Sequence, residues 1–225
     1  MGNLAEERRY AYKDYITWDD KTRYELIDGI AYAMASPSRL HQKISMELSR
    51  QLANFLRGKT CEVFHAPFDV RLNSDSFDDI VVQPDILVVC DISKHDGKSV
   101  KGAPDLIIEI LSPFNKRHDT FVKFRQYQKA GVKEYWIVDP SRRIVDVYIL
   151  KNGKYGVGTV YDDTDIIPVN VLSGCEISLA DVFYDAIESE DDSELITKQR
   201  IIDAMKENGI SDSQIEKIIN STQLN

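Results

Sequence analysis

Residues 83–90 read QPDILVVC and residues 104–113 read PDLIIEILSP. Both runs are short and apolar at odd and even positions alike, the pattern of central strands covered on both faces. Each also carries a carboxylate that such surroundings disfavour. Asp85 opens the first run, and Glu109 lies inside the second with isoleucine on either side. Burying an unpaired carboxylate costs several kcal/mol or forces it to take up a proton. If the two runs pair in one sheet, Asp85 and Glu109 come side by side near one end, and a cation between them would account for both.

Toward the N-terminus, YKDYITWDD (12–20) predicts a short helix and YELIDGIAYAM (24–34) a hairpin turning at Asp28-Gly29. In SPSRLHQKISMELSRQLANFLRG (36–58), Ile44, Leu48, Leu52 and Phe55 recur at helical spacing, with Gly58 where a C-terminal cap belongs. CEVFHAPFDVRL (61–72) reads as a strand bent at Pro67. Toward the C-terminus, DTFVKFRQYQKAG (119–131) is an amphipathic helix ended by Gly131, and EYWIVDP (134–140) is a buried strand ended by Pro140. IVDVYILKNGKYG (144–156) is a hairpin with Asn152-Gly153 at its turn, and GCEISLADVF (174–183) supplies a strand and a short helix. These elements describe an α/β domain over residues 1–187, with a mixed central sheet flanked by helices. The acidic run DAIESEDDSE (185–194) then marks a boundary, and residues 188–225 form an acidic linker and a two-helix appendage around Gly209, with Ser211 as an N-cap.

Composition narrows the function classes. The 225-residue chain has 43% hydrophobic and 29% charged residues, an ordinary globular balance. No segment has the length and apolarity of a membrane span, and the N-terminus is too polar for a signal peptide. A net charge of −9 argues against wholesale coating of nucleic acid, although a local basic patch can still work on an acidic body. Cys61, Cys90 and Cys175 are widely spaced and odd in number, which predicts reduced thiols packed as small core residues in a cytoplasmic protein. The four histidines show no zinc-ligand spacing. Tyr135 and Trp136 read as core strand residues, not as platforms for stacking bases.

The chemistry converges on a hydrated divalent cation. Mg²⁺ takes one or two protein carboxylates, keeps several waters and uses substrate phosphate oxygens for the rest. It can acidify a bound water and neutralise charge growing on a phosphate. On the following helix, Lys123 shares a stripe with Phe124 and Tyr127, so it points toward the sheet and needs an anionic partner there. Asp119, one turn earlier, is the rival partner.

The runs QPDILVV, PDLIIEILSP and RHDTFVKFRQYQKAGVKEYWIVDP together resemble the Uma family of the PD-(D/E)xK nuclease superfamily, whose fold is restriction-endonuclease-like. The resemblance spans roughly residues 10–185 and is strongest over 83–140. It implies Asp85 and Glu109 as metal ligands with the carbonyl of Ile110, Mg²⁺ or Mn²⁺ as cofactor, and nucleic acid, in the first instance DNA, as substrate. The lysine that the superfamily usually carries two residues after the glutamate is Leu111 here, and the Uma pattern places it instead at Lys123. Glu25 in YELIDG and His41 also match the family and, with Tyr127, belong to the expected cleft. Lys116, Arg117, His118, Arg125 and Lys129 form a basic cluster suited to backbone phosphates. The implied activity is metal-dependent phosphodiester hydrolysis that leaves a 5′-phosphate, by a homodimer if both strands are cut. Two rival readings are a catalytically silent nucleic-acid-binding or regulatory module on the same fold, and an interaction scaffold acting through the C-terminal helices. The segment KENGISDSQIEKI resembles helix pairs at the ends of some transposon-associated nucleases.

Overall fold

The computed structural model describes residues 8–18, 22–112, 118–184 and 205. The chain divides into two compact units, Met1–Ala186 and Ile187–Asn225, and the first is described below. The helices expected around Gly209 and Ser211 lie outside the described residues.

In chain order the elements are α1 (Tyr12–Tyr15), β1 (Tyr24–Ile27), β2 (Ile30–Ala33), α2 (Arg39–Leu56), β3 (Glu62–His65), β4 (Asp69–Arg71), β5 (Val81–Val82) and β6 (Ile86–Val89). They continue with β7 (Ser99–Lys101), β8 (Leu106–Ile110), α3 (Phe124–Ala130), β9 (Glu134–Asp139), β10 (Ile144–Lys151), β11 (Lys154–Tyr155), β12 (Thr159–Asp162), β13 (Ile166–Pro168), β14 (Glu176–Ser178) and α4 (Leu179–Val182). The main sheet runs β11-β10-β9-β8-β6-β3, with β12 on β10; a second sheet runs β2-β1-β5-β4-β7, and β13 pairs with β14. The two quoted runs are β6 and β8. They pair antiparallel in the middle of the main sheet, while β8 and β9 run parallel.

Alternation along these strands separates two cores. Ile86, Val88, Leu106, Ile108, Ile110, Trp136 and Val138 pack with Leu40, Ile44, Leu48 and Leu52 of α2 and with Leu179 and Val182 of α4. Leu87, Val89, Ile107, Leu111, Tyr135 and Ile137 pack with Tyr127 of α3 and with Ile27, Val70 and Val82 of the second sheet. The central strands β6, β8 and β9 are thus covered on both faces, which is why they are buried along their whole length. Tyr135 and Trp136 are fully buried, as their strand pattern predicts.

Local chemistry explains the turns. Asp28 and Gly29 both take positive φ (50° and 78°), as do Asn152 and Gly153 (52° and 75°), the conformation that two-residue hairpin turns require. Ser38 caps α2 by accepting from the backbone N–H of His41. CEVFHAPFDVRL is not one bent strand: it divides at the cis peptide Ala66–Pro67 into β3 and β4, which join different sheets.

The cysteine expectation is corrected. Cys61 and Cys90 form a disulfide, leaving Cys175 as a free, buried thiol whose pKa burial pushes up to about 11. The reason is register. β3 and β6 are antiparallel with Glu62 opposite Val89, so the next pair outward is Cys61 with Cys90, although 29 residues separate them in sequence. Such proximity is a property of strand pairing and leaves no trace in spacing. The cytoplasmic reading drew on unpaired thiols, and it loses that support.

Candidate metal-dependent active site

Glu109 projects from β8 on the face shared with Ile107 and Leu111, toward α3 and the second sheet. It is 3% exposed, as is Lys123. The Lys123 Nζ donates to Glu109 Oε1 at 3.0 Å and lies 2.9 Å from Glu25 Oε1. Glu25 comes from β1, so the lysine ties the two sheets together. The Tyr127 hydroxyl donates to the same Glu109 oxygen at 2.5 Å. Burial raises its pKa well above the usual phenol value and the Glu109 carboxylate adds to this, so Tyr127 stays a neutral donor. Lys123 ends a π-helical turn, His118–Lys123, that runs directly into α3. Lys123 and Tyr127 stand four residues apart and therefore share one face.

Asp85 is held differently. Its Oδ2 accepts from the backbone N–H of Ile110 at 2.7 Å and from Nε2 of His41 at 3.1 Å. The β6–β8 register ends with Ile86 paired to Ile108, so Asp85 and Glu109 each follow the last pair at the same end of the ladder. The carbonyl of Ile110 points to the same strand edge as its N–H, toward Asp85. His41 reaches this point from α2, on the far side of the sheet from α3. Its other ring nitrogen, Nδ1, is buried with no hydrogen-bond partner among the described residues.

These residues suit a divalent cation. Glu25 and Glu109 both contact the Lys123 ammonium group, and Asp85 accepts from the His41 ring and from a backbone N–H, so three carboxylates gather around one end of β8. Two buried polar atoms beside the cluster, His41 Nδ1 and Gln83 Oε1, lack hydrogen-bond partners among the described residues, and ordered waters such as those of a hydrated cation can supply them. Among the described residues no group of three or more His, Cys, Asp and Glu side chains could hold a metal ion by itself. A cation here would therefore rest on Asp85, Glu109 and the Ile110 carbonyl, with oxygens from water and substrate completing its shell.

The expected residues thus fall into two contacting groups, Glu109 with Lys123, Glu25 and Tyr127, and Asp85 with His41 and Ile110, joined through the chain at Glu109–Ile110. Lys123 finds its anionic partners in Glu109 and Glu25, while the side chain of its sequence rival Asp119 lies outside the described residues. Lys116, Arg117 and the His118 side chain also lie outside them, and Arg125 and Lys129 are exposed on α3. Gln83 carried no role in the sequence reading. Its backbone N–H donates to Glu25 at 2.8 Å, and its side-chain amide donates to Asp69 and to Tyr15. A polar residue between two valines and Pro84 was the available signal.

Comparison with known proteins agrees with this architecture. A solved structure described as "a putative nuclease belonging to DUF820" from Anabaena variabilis superposes with a TM-score of 0.65 at 21% identity, covering 79% of this chain and 99% of that one. "Uncharacterized protein slr1290" of Synechocystis is 29% identical over 140 residues, 60% of this chain and 72% of that protein. A family model described as "Spo16 protein, C-terminal" matches residues 190–223. The model of the Uma2 family, described as "Putative restriction endonuclease", matches residues 12–180, three quarters of the chain. On that match and on its restriction-endonuclease-like fold, the chain belongs to the Uma2 family.

Proposed function

We propose that the protein is a metal-dependent nuclease that hydrolyses phosphodiester bonds of nucleic acid, DNA in the first instance. The observation that carries this reading is the meeting of Asp85, bonded to the Ile110 N–H, and Glu109, its neighbour on β8, beside a lysine that contacts both Glu109 and Glu25. Bound Mg²⁺ or Mn²⁺ supplies Lewis acidity toward a phosphate oxygen and a more acidic coordinated water.

The protein's own groups do the rest. Asp85 and Glu109 hold the cation's site, and His41 and the Ile110 N–H fix the orientation of Asp85. Lys123, held by Glu25 and Glu109, orients the attacking water and stabilises charge on the pentacovalent phosphorus. Tyr127 keeps Glu109 in a single rotamer. Water oxygen bonds to phosphorus as the bond to the 3′-oxygen breaks; the water's proton leaves to solvent, and the departing 3′-oxygen takes up a proton from solvent. The products are a 5′-phosphate and a 3′-hydroxyl. Arg125 and Lys129 contact backbone phosphates without reading bases. A duplex cut needs two such sites, so light scattering of the purified protein is expected to give a dimer mass.

The test incubates the purified full chain with Mn²⁺ and single-stranded, duplex and branched DNA, and with RNA. Cleavage that requires metal and disappears in Asp85→Ala is expected. No cleavage of any form, or equal cleavage by Asp85→Ala, sinks the proposal. Binding without turnover that survives Glu109→Ala would instead identify a silent nucleic-acid-binding module.

A further inference from the structure

A cavity of about 580 Å³ opens beside the cluster, walled by Tyr12, Tyr15, Trp18 and Tyr24 with Asp69 among its polar lining. None of these four rings is fully buried, and none belongs to either hydrophobic core or packs against one. They contact each other instead: Tyr12 stacks on Tyr15 with centroids 5.9 Å apart, and Trp18 meets Tyr15 and Tyr24 edge-on at 5.6 and 5.2 Å. Arg23, Lys98 and Asp96 also line the cavity; Asp96 is ion-paired with Arg71 and Lys101, whereas neither Arg23 nor Lys98 has an ion-pair partner among the described residues.

Asp69 is the cavity's polar anchor. Its Oδ1 accepts from the Tyr15 hydroxyl at 3.1 Å and from the Gln83 amide at 2.9 Å, while its Oδ2 has no partner among the described residues. Burial raises its pKa, which the bonds from Gln83 and Tyr15 only partly offset. Gln83 in turn donates its backbone N–H to Glu25, which contacts Lys123. Two residues therefore link the cavity to the candidate active site.

The lining selects a ligand class. A carboxylate oxygen disfavours a phosphate at that point and favours an N–H donor. Partly exposed aromatic walls favour a flat ring, and unpaired cations favour an anion attached to it. We propose that this cavity receives an unpaired nucleobase of the substrate strand, with its N–H on Asp69, its ring against Trp18 and the adjoining phosphate near Lys98 and Arg23. In duplex nucleic acid those N–H groups are engaged in base pairs. The site would therefore make single-stranded or locally unpaired nucleic acid the preferred substrate form, an inference that rests on the nuclease reading.

Anisotropy titrations of the full chain in EDTA, with labelled single-stranded DNA, the same sequence as RNA and a blunt duplex, test this. Single strands are expected to bind tighter than the duplex. Trp18→Ala is expected to weaken single-strand binding about tenfold, with Trp18→Phe recovering most of the loss. Asp69→Asn should reduce the single-strand preference, and the exposed Lys98→Ala should lower the salt slope of binding by about one. Duplex affinity should be unchanged in Trp18→Ala and Asp69→Asn. Equal single-strand and duplex affinity in the wild type, or no selective loss in Trp18→Ala, overturns the proposal. Selective binding by a protein that never cuts would sink the nuclease reading but leave the pocket standing. Cleavage indifferent to Trp18→Ala and to strand pairing would do the reverse.

Discussion

Glu109 on β8 and Glu134 on β9 are both buried glutamates on adjacent parallel strands, at 3% and 0% exposure, yet their surroundings differ in kind. Glu134 lies on the α2 face. It accepts from Trp136 Nε1 at 2.8 Å, from the Val171 N–H at 2.9 Å and from Asn170 Nδ2 at 3.3 Å, all neutral donors. Glu109 lies on the α3 face, with an ammonium group, a phenol and a second carboxylate in its neighbourhood. Burial alone therefore does not mark a functional acid. Neutral donors around a single carboxylate tie strands to a loop, whereas acids gathered around one buried lysine are the kind of charged cluster that functional sites assemble.

The largest expected contrast is in cleavage. Glu109→Gln should lower the Mn²⁺-dependent rate by roughly a thousandfold or more, the several kcal/mol that metal-assisted charge stabilisation supplies. Glu134→Gln should leave that rate within about twofold once folding is matched, a small change by the same rate relation. Equal losses in the two variants would break the contrast. His41→Ala should come next, weakening Mn²⁺ binding by about 10- to 100-fold in calorimetric titration, because it removes the group that orients Asp85. Unchanged affinity would show that the Ile110 N–H holds Asp85 sufficiently by itself.

Tyr127→Phe deletes a bond to a buried carboxylate and should cost about 1.5–3 kcal/mol in urea unfolding, with the larger fold-change appearing in stability, not in cleavage. The smallest effect is a pH slope. Burial raises the pKa of Glu134 from the usual value of 4.5, against opposing bonds from Trp136, Val171 and Asn170. Such a carboxyl binds its proton more tightly folded than unfolded. Its contribution favours folding below pH 4.5 and is lost as pH rises through the window up to the folded-state value. The stability of wild type relative to Glu134→Gln should therefore decline across that window in thermal melts. A difference that is flat in pH would remove the premise that Glu134 is penalised by burial.

Particular residues show how far the chain could be read in advance. The two hairpin turns were legible because Asp-Gly and Asn-Gly suit the positive φ values such turns need. The central strands were legible because apolar residues occupy both faces of β6 and β8. Lys123 could be found because a lysine on an inward helical stripe must meet an anion, and Leu111 excluded the nearer position. Glu134 was passed over, since EYWIVD reads as an ordinary strand and two of its three donors come from a loop more than thirty residues later. The partnership of Glu25 with Lys123 crosses from one sheet to a helix of another layer, and no local period encodes it. Gln83 was visible in the quoted run, but its contacts with Glu25, Asp69 and Tyr15 depend on how β1, β4 and α1 assemble around it.

Sequence by itself determined the elements, the placing of Glu109 in an apolar strand and the helix face that carries Lys123, because these follow from local backbone preference and from burial periodicity. Tertiary structure alone decided that Asp85 meets the Ile110 N–H next to Glu109, that Cys61 meets Cys90 and that four aromatic rings line one cavity. The physical reason is that strand register and layer packing join residues far apart in the chain, and the free energy that selects those pairings belongs to the assembled core and not to any one segment.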